Sequence, residues 1–576
     1  MAVVIDGLTE LKYDRLSIFP LGGQSEIGQV LWAISYAGEI MLVDAGACYP
    51  PTDLPGVDLL LPNTNFLAAN EQRITALLLT NGHEEHCGAV PYLLSHVKVP
   101  RILAPRFVSA LISETLANHP ERANTAIDTV EIRQDYQIGP FTVEWMQVND
   151  AIADACGLRI VTPEGVIVYT SSFKLDQTPV DNRLMDVSRF AEAGDNGVTL
   201  LISNSAGSEM RGYSPSEKAV SAALEKQISE APGRAVVVMN GTNTHRLQIL
   251  FDLAKRNDRK VVLYGETLVQ TAVAAVVTGN LNYDRSIEAG LGDMQRLNPE
   301  QILVVATGPD GDALSLMYDL AFGKREDFHL VQGDSVIFSE PIYPGQSRRM
   351  AVIMDQLLSM GVGTCIGLRD GVHVPNHASQ EELKLMLSIT KPRFFVPAIG
   401  EGRHIMHHAQ LAQQCGIPAE NVFPLRNGHV LELFNGSATV AGTVESEAVL
   451  FNRNQAESVT RFSVNERRSL STEGVLNIAC LVDSDWNLLQ PPTMEGAALG
   501  FIHSSEWQRA SVELVHNIRD AIAKQREQRS ESRGEGVDVM TLRASVREVA
   551  AKTIRSKLQS KPTIHVVVHE VAKAQA

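Results

Sequence analysis

The feature that most limits the fold of this 576-residue chain is the repeated alternation of short apolar runs with helical stretches. VLWAISYAGEIMLVDAG reads as two strands joined by a turn at Ala37-Gly38, and ITALLLT as a strand ending in a polar loop. GVIVYTSS and GVTLLISNS read as further buried strands. Such short runs, bounded by turn residues and spaced by helical segments, define an α/β protein. From about Gly212 the helices lengthen, and AVVVMN, KVVLYG and ILVVATG predict a parallel sheet built from βα units. From about Gly361 to Leu433 the earlier style returns, and the polar stretch VESEAVLFNRNQAESVTRFSVNERR reads as a linker. A last module starts near Gly474. It holds the strand LNIACLVD, an amphipathic helix near Glu506–Gln525, a charged break (KQREQRSESRGEG), a second helix and the strand TIHVVVHEV. No internal repeat is visible.

Length suggests roughly three domains. Hydrophobic residues make up 44% and charged residues 20%, as in an ordinary globular protein. No apolar run reaches the roughly 18 residues of a membrane span. The start, MAVVIDGLTELKYDRL, lacks a basic segment followed by an apolar core, so no signal peptide is expected. Six scattered cysteines form no CxxC pair, which fits reduced thiols in a cytoplasmic protein. The net charge of −17 argues against coating nucleic acid through a general basic surface. It leaves room for a narrow basic channel holding one strand.

The run LLLTNGHEEHCGAVPYLL carries the most chemistry. A buried strand ends, a glycine-containing loop follows, and a helix starts near His86. Histidines and carboxylates at a strand end can converge on metal sites, because the rigid strand fixes their distances. Alone, HEEH is more often a polar loop. Its surroundings change that balance: LGGQSEIGQV, LVDAGACYP with Asp44, VDLLLPNTNFLAANEQRITALLLT, NDAIADACGLRIVTPEGVIVYTSSFKLD, NSAGSEMRGYSPSE, GTNTHRLQ, VVATGPDGDALS and HVPNHASQEELKLMLSITKPRFFVPAIGEGRH follow in order. Over nearly its whole length the chain resembles the ribonuclease J family. The resemblance implies a metallo-β-lactamase αββα sandwich from residues 1–205 and 355–445, and a β-CASP domain inserted at 206–354. A linker at 446–473 and a small α/β C-terminal domain at 474–576 complete it. It further implies RNA hydrolysis, internally or from the 5′ end, with two zinc ions, and association into dimers or tetramers.

The departures from that family are chemical. The family motif His-x-His-x-Asp-His reads Asn81-Gly82-His83-Glu84-Glu85-His86 here. Asp150 stands for a histidine, Ser172 for the bridging aspartate, Asn204 for an aspartate and Ile399 for a histidine. The resemblance leaves His83, Glu85, His86 and Asp150 as a residual metal set, whose oxygen share favours a harder ion such as Mn²⁺ or Mg²⁺. The expected cofactor is therefore none, or a weakly bound divalent metal. His377 matches the catalytic histidine, which without a metal-bound hydroxide becomes a pocket-lining group. The RNA- or phosphate-binding candidates are His245, Arg246, Thr307, Gly308, His373 and His377. Pro375-Asn376 replace Ser-Gly, and Pro309-Asp310 replace Ser-Gln; proline removes an N–H and the added carboxylate repels phosphate. For Thr307-Gly308 a plain strand–helix turn is the alternative, and for His245-Arg246 a structural salt bridge. His404, His407 and His408 read as a solvated helix face. The expected protein is a cytoplasmic, membrane-free RNA-processing partner, non-catalytic or weakly active. It would form a homo-oligomer or pair with an intact ribonuclease J. An active metal-dependent exo- or endoribonuclease with a rebuilt site is the alternative, and a lone RNA-binding protein a third.

Overall fold

In the computed structural model, residues 11–50, 54–117, 119, 125–308, 313–342, 346–453, 456–531 and 538–571 are described. The chain divides into two compact units, Met1–Tyr49 with Leu59–Val449 and Pro50–Asp58 with Leu450–Ala576.

The first unit is built on three large sheets. An eight-stranded sheet runs in the spatial order Ser437–Thr443, His429–Phe434, Leu16–Gly22, Leu31–Tyr36, Glu39–Val43, Ile74–Leu78, Arg101–Pro105, Ala126–Val130. A six-stranded sheet runs Phe394–Ala398, Leu200–Asn204, Gly165–Tyr169, Cys156–Thr162, Phe141–Gln147, Asp135–Ile138. Period-two alternation makes these sheets two-faced. Ile18, Trp32, Ile34, Met41 and Val43 of the first pack against Val143, Trp145, Leu158, Tyr169, Ile202 and Val396 of the second in one buried cluster. Their neighbours Phe19, Leu31, Ala33, Leu42, Leu201 and Phe395 face the other way, into a cluster that includes helix residues Phe107, Leu111, Phe190, Leu383 and Leu411. The result is helix, sheet, sheet, helix: the αββα sandwich expected from the sequence.

The chain leaves the six-stranded sheet after Asn204 and re-enters it at Phe394–Ala398, parallel to Leu200–Asn204. It then adds His429–Phe434 antiparallel to Leu16–Gly22. Between exit and return lies a five-stranded all-parallel sheet in the order Lys260–Tyr264, Ile302–Ala306, Ala235–Val238, Ser335–Phe338, Gly363–Ile366. Its strands are continuous apolar runs because helices cover both faces, Thr244–Arg256 and Glu266–Thr278 on one and Ala313–Ala321 and Ser347–Ser359 on the other.

In the second unit, Thr493–Ala497, Val475–Asp483 and Thr563–Val571 form a three-stranded sheet. Helices Ser505–Glu531 and Val539–Leu558 pack on it through Leu514, Ile518, Leu542, Val546 and Ile554. Two local readings differ from expectation. The stretch read as a linker carries a helix, Arg461–Glu473, capped at Thr460 but burying only Val464, so its sequence shows little apolar pattern. The charged break does not interrupt its helix before Glu531: Lys, Gln, Arg and Glu are strong helix formers whatever their charge. The remainder of that break lies outside the described residues. Among the described residues, no helix is long and apolar enough to cross a membrane.

Candidate functional site

Six chain segments meet at one edge of the sandwich, because the strands preceding them run in the same direction. Asp44 follows strand Glu39–Val43, Asn81 to His86 follow Ile74–Leu78, and Asp150 follows Phe141–Gln147. Ser172 follows Gly165–Tyr169, Asn204 ends Leu200–Asn204, and Ile399 follows Phe394–Ala398. The loop at Asp44 is clamped onto the HEEH segment by backbone bonds from Ala45 N to His86 O (2.7 Å) and from Ala47 N to Glu84 O (2.9 Å). Gly46 permits that approach: a Cβ there would lie 1.6 Å from the Glu85 carbonyl oxygen.

Two polar groups result. In the first, Asp44 is fully buried with its backbone in the left-handed region, φ +59°. Its carboxylate accepts from Thr80 N, Thr80 Oγ1 and Tyr169 OH, each at 2.9 Å, and from His86 Nδ1 at 2.8 Å. The other nitrogen of the ring, Nε2, lies 2.9 Å from Ser172 Oγ. Ser172 Oγ is 3.4 Å from Glu85 Oε1 and accepts from Asn204 Nδ2 at 3.2 Å. Asn204 Nδ2 is also 3.4 Å from His377 Nδ1. Burial pulls the His86 pKa down, but Asp44 and Glu85 outweigh it and raise it.

In the second group, Asn81 Nδ2 donates to Asp150 Oδ2 at 2.7 Å, and Asn81 Oδ1 accepts from His83 N at 2.9 Å. His83 Nδ1 lies 2.6 Å from Thr242 Oγ1, in the loop after strand Ala235–Val238. Its Nε2 is 3.4 Å from Asp150 Oδ1 and has no aligned hydrogen-bond partner. Burial opposes charge on His83, yet Asp150, with Glu85 and Glu84, carries its pKa up to about 9. Burial likewise opposes charge on Asp150, but His83, His377 and the Ala151 N–H hold it down at about 2. Both directions describe one ion pair.

These residues do not fit a dinuclear zinc centre. Asn81 uses its NH₂ to donate to Asp150, Ser172 offers a hydroxyl where a bridging carboxylate would stand, and Ile399 is an alkyl group. Ile399 is fully buried in the inter-sheet core with φ +51°, a costly conformation for a β-branched residue. Of the four residual candidates, His83 sits with Asp150, and His86 lies 3.8 Å from Glu85 Oε1. Among the described residues, no three His, Cys, Asp or Glu side chains form a group that could hold a metal.

The phosphate candidates are more scattered. Arg246 is completely buried; its guanidinium pairs with Glu217 and donates to Ser339 and to His373 Nδ1, the last at 3.2 Å. Of the two roles open to it, the geometry occupies the internal salt bridge. His373 is buried against it, and burial with the Arg246 charge lowers its pKa to about 3. His245 is buried 3.6 Å from Asp181, and Thr307 Oγ1 is buried with no hydrogen-bond partner among the described residues, beside buried Gly308. Pro309-Asp310 lie outside the described residues. His377 alone of this set joins the polar centre and is partly open to solvent. The solvated-face reading of His404, His407 and His408 is corrected: His404 and His408 are buried, and His408 bonds Ser205 Oγ at 3.0 Å against the Phe395 ring. That helix packs inward through the very face that carries them.

Sequence reasoning missed Thr80, Tyr169 and Thr242 as members of the centre. Tyr169 and Asp44 are 125 positions apart, and no local pattern marks the pair. The one available signal was that ITALLLT and GVIVYTSS both end in hydroxyl residues.

An αββα sandwich interrupted by a parallel-sheet insertion, with polar residues gathered at its strand ends, defines the metallo-β-lactamase fold carrying a β-CASP domain. Comparison with known proteins narrows this. A family model described as "Ribonuclease J, beta-CASP domain" matches residues 232–357, and one described as "Ribonuclease J C-terminal domain" matches 462–571. "Ribonuclease J" of a Synechocystis species is 32% identical over 95% of this chain and 86% of its own length. "Ribonuclease J" of Thermus thermophilus is 33% identical over 86% of each. The chain belongs to the ribonuclease J family. "Ribonuclease J2" of Bacillus subtilis is 27% identical over 97% of this chain and 99% of its own length. A solved structure of a protein of unknown function from Enterococcus faecalis shares the fold, with a TM-score of 0.52 at 14% identity over 73% of this chain and 100% of that one.

Proposed function

We propose that this chain is an RNA-binding member of the ribonuclease J family that has given up two-metal hydrolysis and acts beside an intact ribonuclease J in RNA processing or decay. One observation carries the reading: the positions that would present metal lone pairs instead satisfy one another, Asn81 with Asp150 and Ser172 with His86. Two-metal chemistry needs ions held a few ångströms apart to activate water and stabilise the charge at phosphorus. The RNA contact would fall on the His377 side of the centre, with Arg246 and Glu217 holding His373 in place. The domain limits near residues 205, 354 and 446 belong to the same proposal; the exit after Asn204 supports the first, whereas strand Gly363–Ile366 still pairs within the five-stranded sheet and moves the second past residue 366. Association through the C-terminal module fits its exposed Val567 and Val571.

The test is zinc content by elemental analysis beside a nuclease assay on 5′-monophosphorylated RNA, with and without an intact homologue. The expected result is well under one zinc per chain, little cleavage alone, and altered cleavage by the partner. A second reading, a rebuilt mononuclear site, draws on His83 Nε2, which is buried, lies 3.4 Å from Asp150 and has no aligned hydrogen-bond partner among the described residues. It takes over if the unmodified chain digests RNA in a metal-dependent way that His83→Ala abolishes.

A further inference from the structure

The second unit sets two long helices side by side on one sheet, and their charges differ. Ser505–Glu531 carries five basic and five acidic residues, whereas Val539–Leu558 carries five basic residues and one acidic residue, in a chain whose net charge is −17. Val539–Leu558 turns Leu542, Val546, Ala550 and Ile554 inward. Its opposite face holds exposed Arg547, Lys552 and Arg555, with partly buried Arg543 one turn before Arg547. Lys557 pairs with Glu513 at 2.9 Å. The other four cations have no carboxylate within ion-pair distance among the described residues, and Arg543 Nη1 contacts the Met540 sulfur at 4.0 Å.

Folding does not account for this face. The helix dipole favours cations near the C-terminus, which covers Arg555 and Lys557; Arg543 and Arg547 lie in the first half of the helix, outside that effect. They also stand four residues apart, where like charges repel. Arg543 Nε is buried with no hydrogen-bond partner among the described residues. The face has no apolar centre: among the described residues, Met540 is the one large hydrophobic side chain that this helix exposes. A protein interface buries an apolar core, whereas phosphate contacts need only cations and free donors. Ala544 and Ala551 lie between the cations on the same side, so a strand can approach the helix closely. At a rise of 1.5 Å per residue, Arg543 to Arg555 spans about 18 Å, the length of a run of several phosphates.

We propose that Arg543, Arg547, Lys552 and Arg555 of the C-terminal module form a phosphate-binding surface for an RNA strand, held without regard to base sequence. The cations take the place of counterions condensed on the strand. Release of those counterions drives the association and makes it weaken with salt. Most of a surface with net charge −17 repels such a strand, so a local basic face also sets where it lands. The inference shares with the proposed function only the nature of the ligand. It uses no residue of the polar centre and stands whether or not RNA contacts His377.

The experiment titrates the full chain, with a chelator present, against a fluorescein-labelled single-stranded RNA of mixed sequence, and follows anisotropy from about 50 to about 200 mM salt. One variant combines Arg543→Gln, Arg547→Gln, Lys552→Gln and Arg555→Gln, since glutamine keeps the helix propensity. At about 0.7 of slope per phosphate on a single strand, losing four contacts should lower the log–log salt slope by about 3, so the wild type should lose about 50-fold more affinity than the variant across that range. Arg547→Gln with Arg555→Gln alone should remove about half of that slope. Arg509→Gln with Arg519→Gln and Lys524→Gln, on the balanced helix, should leave the slope unchanged. An unchanged slope in the four-residue variant overturns the proposal, as does a wild type that binds no RNA. An equal drop in the balanced-helix variant also overturns it, because total charge then explains the effect. Unchanged RNA binding with a lower particle mass by light scattering assigns the face to an acidic protein partner instead, a second copy included. Failure of the His377 contact shows separately, as RNA binding that His377→Ala leaves intact.

Discussion

Replacing Asp150 by Asn probes the second polar group directly. His83 is buried, and its pKa rises from 6.5 to about 9 because Asp150 lies 3.4 Å away. A folded-state pKa above the unfolded value means that the stabilisation is complete below about pH 6.5 and is lost as pH rises through about 9. That difference corresponds to roughly 3 kcal/mol for the pair, counted once. With Asn at position 150 only burial and the more distant Glu85 and Glu84 remain, so the His83 pKa falls to its ordinary value or below. NMR titration of the His83 ring, with the Asp150→Asn spectrum as reference, should show the proton held to about pH 9 in the wild type. Thermal melts of the two proteins should differ by a few degrees near pH 6 and converge as pH rises through about 9. A metal-bound imidazole could not protonate in this range. A His83 ring that stays neutral at pH 7, or melts that differ equally at both ends, would refute the ion-pair account.

Restoring the family's ligands with Asn81→His, Glu85→Asp, Asp150→His, Ser172→Asp and Ile399→His together should bring zinc to well above the wild-type content by elemental analysis, with nuclease activity lagging because Asn204 and Pro375-Asn376 remain. Gly46→Ala should destabilise the first unit by more than about 2 kcal/mol and break the Asp44–His86 bond, since backbone stands where the methyl would go; a denaturant melt checks it. Arg246→Met should cost about 3–5 kcal/mol by removing the closest partner of buried Glu217, which keeps only Lys174 at 3.8 Å, while Arg246→Met with Glu217→Leu should not recover the full loss, because Lys174 is then buried without a carboxylate. Ending the chain after Val449 should lower the particle mass seen by light scattering relative to the full chain, and an unchanged mass per chain count would remove the second unit from association.

Much of this protein was legible in its residues. The apolar runs of VLWAISYAGEIMLVDAG marked two strands around a turn, and AVVVMN and ILVVATG a parallel sheet, because short apolar runs bounded by turn residues are a local property that a linear chain displays. The loss of ligand chemistry was equally local: an isoleucine at 399 offers no lone pair in any fold. What the linear chain did not reveal was where each polar atom goes. Arg246, at a helix start, reads as an RNA contact or a structural salt bridge, and only packing settles its partner as Glu217, 29 positions away. His86 reads as a ligand, and only the meeting of three loops sets it between Asp44 and Ser172, 42 and 86 positions distant. A side chain carries its own donors, acceptors and charge. Its partner, and with it its pKa and its chemistry, is decided by which strand ends the tertiary structure brings together.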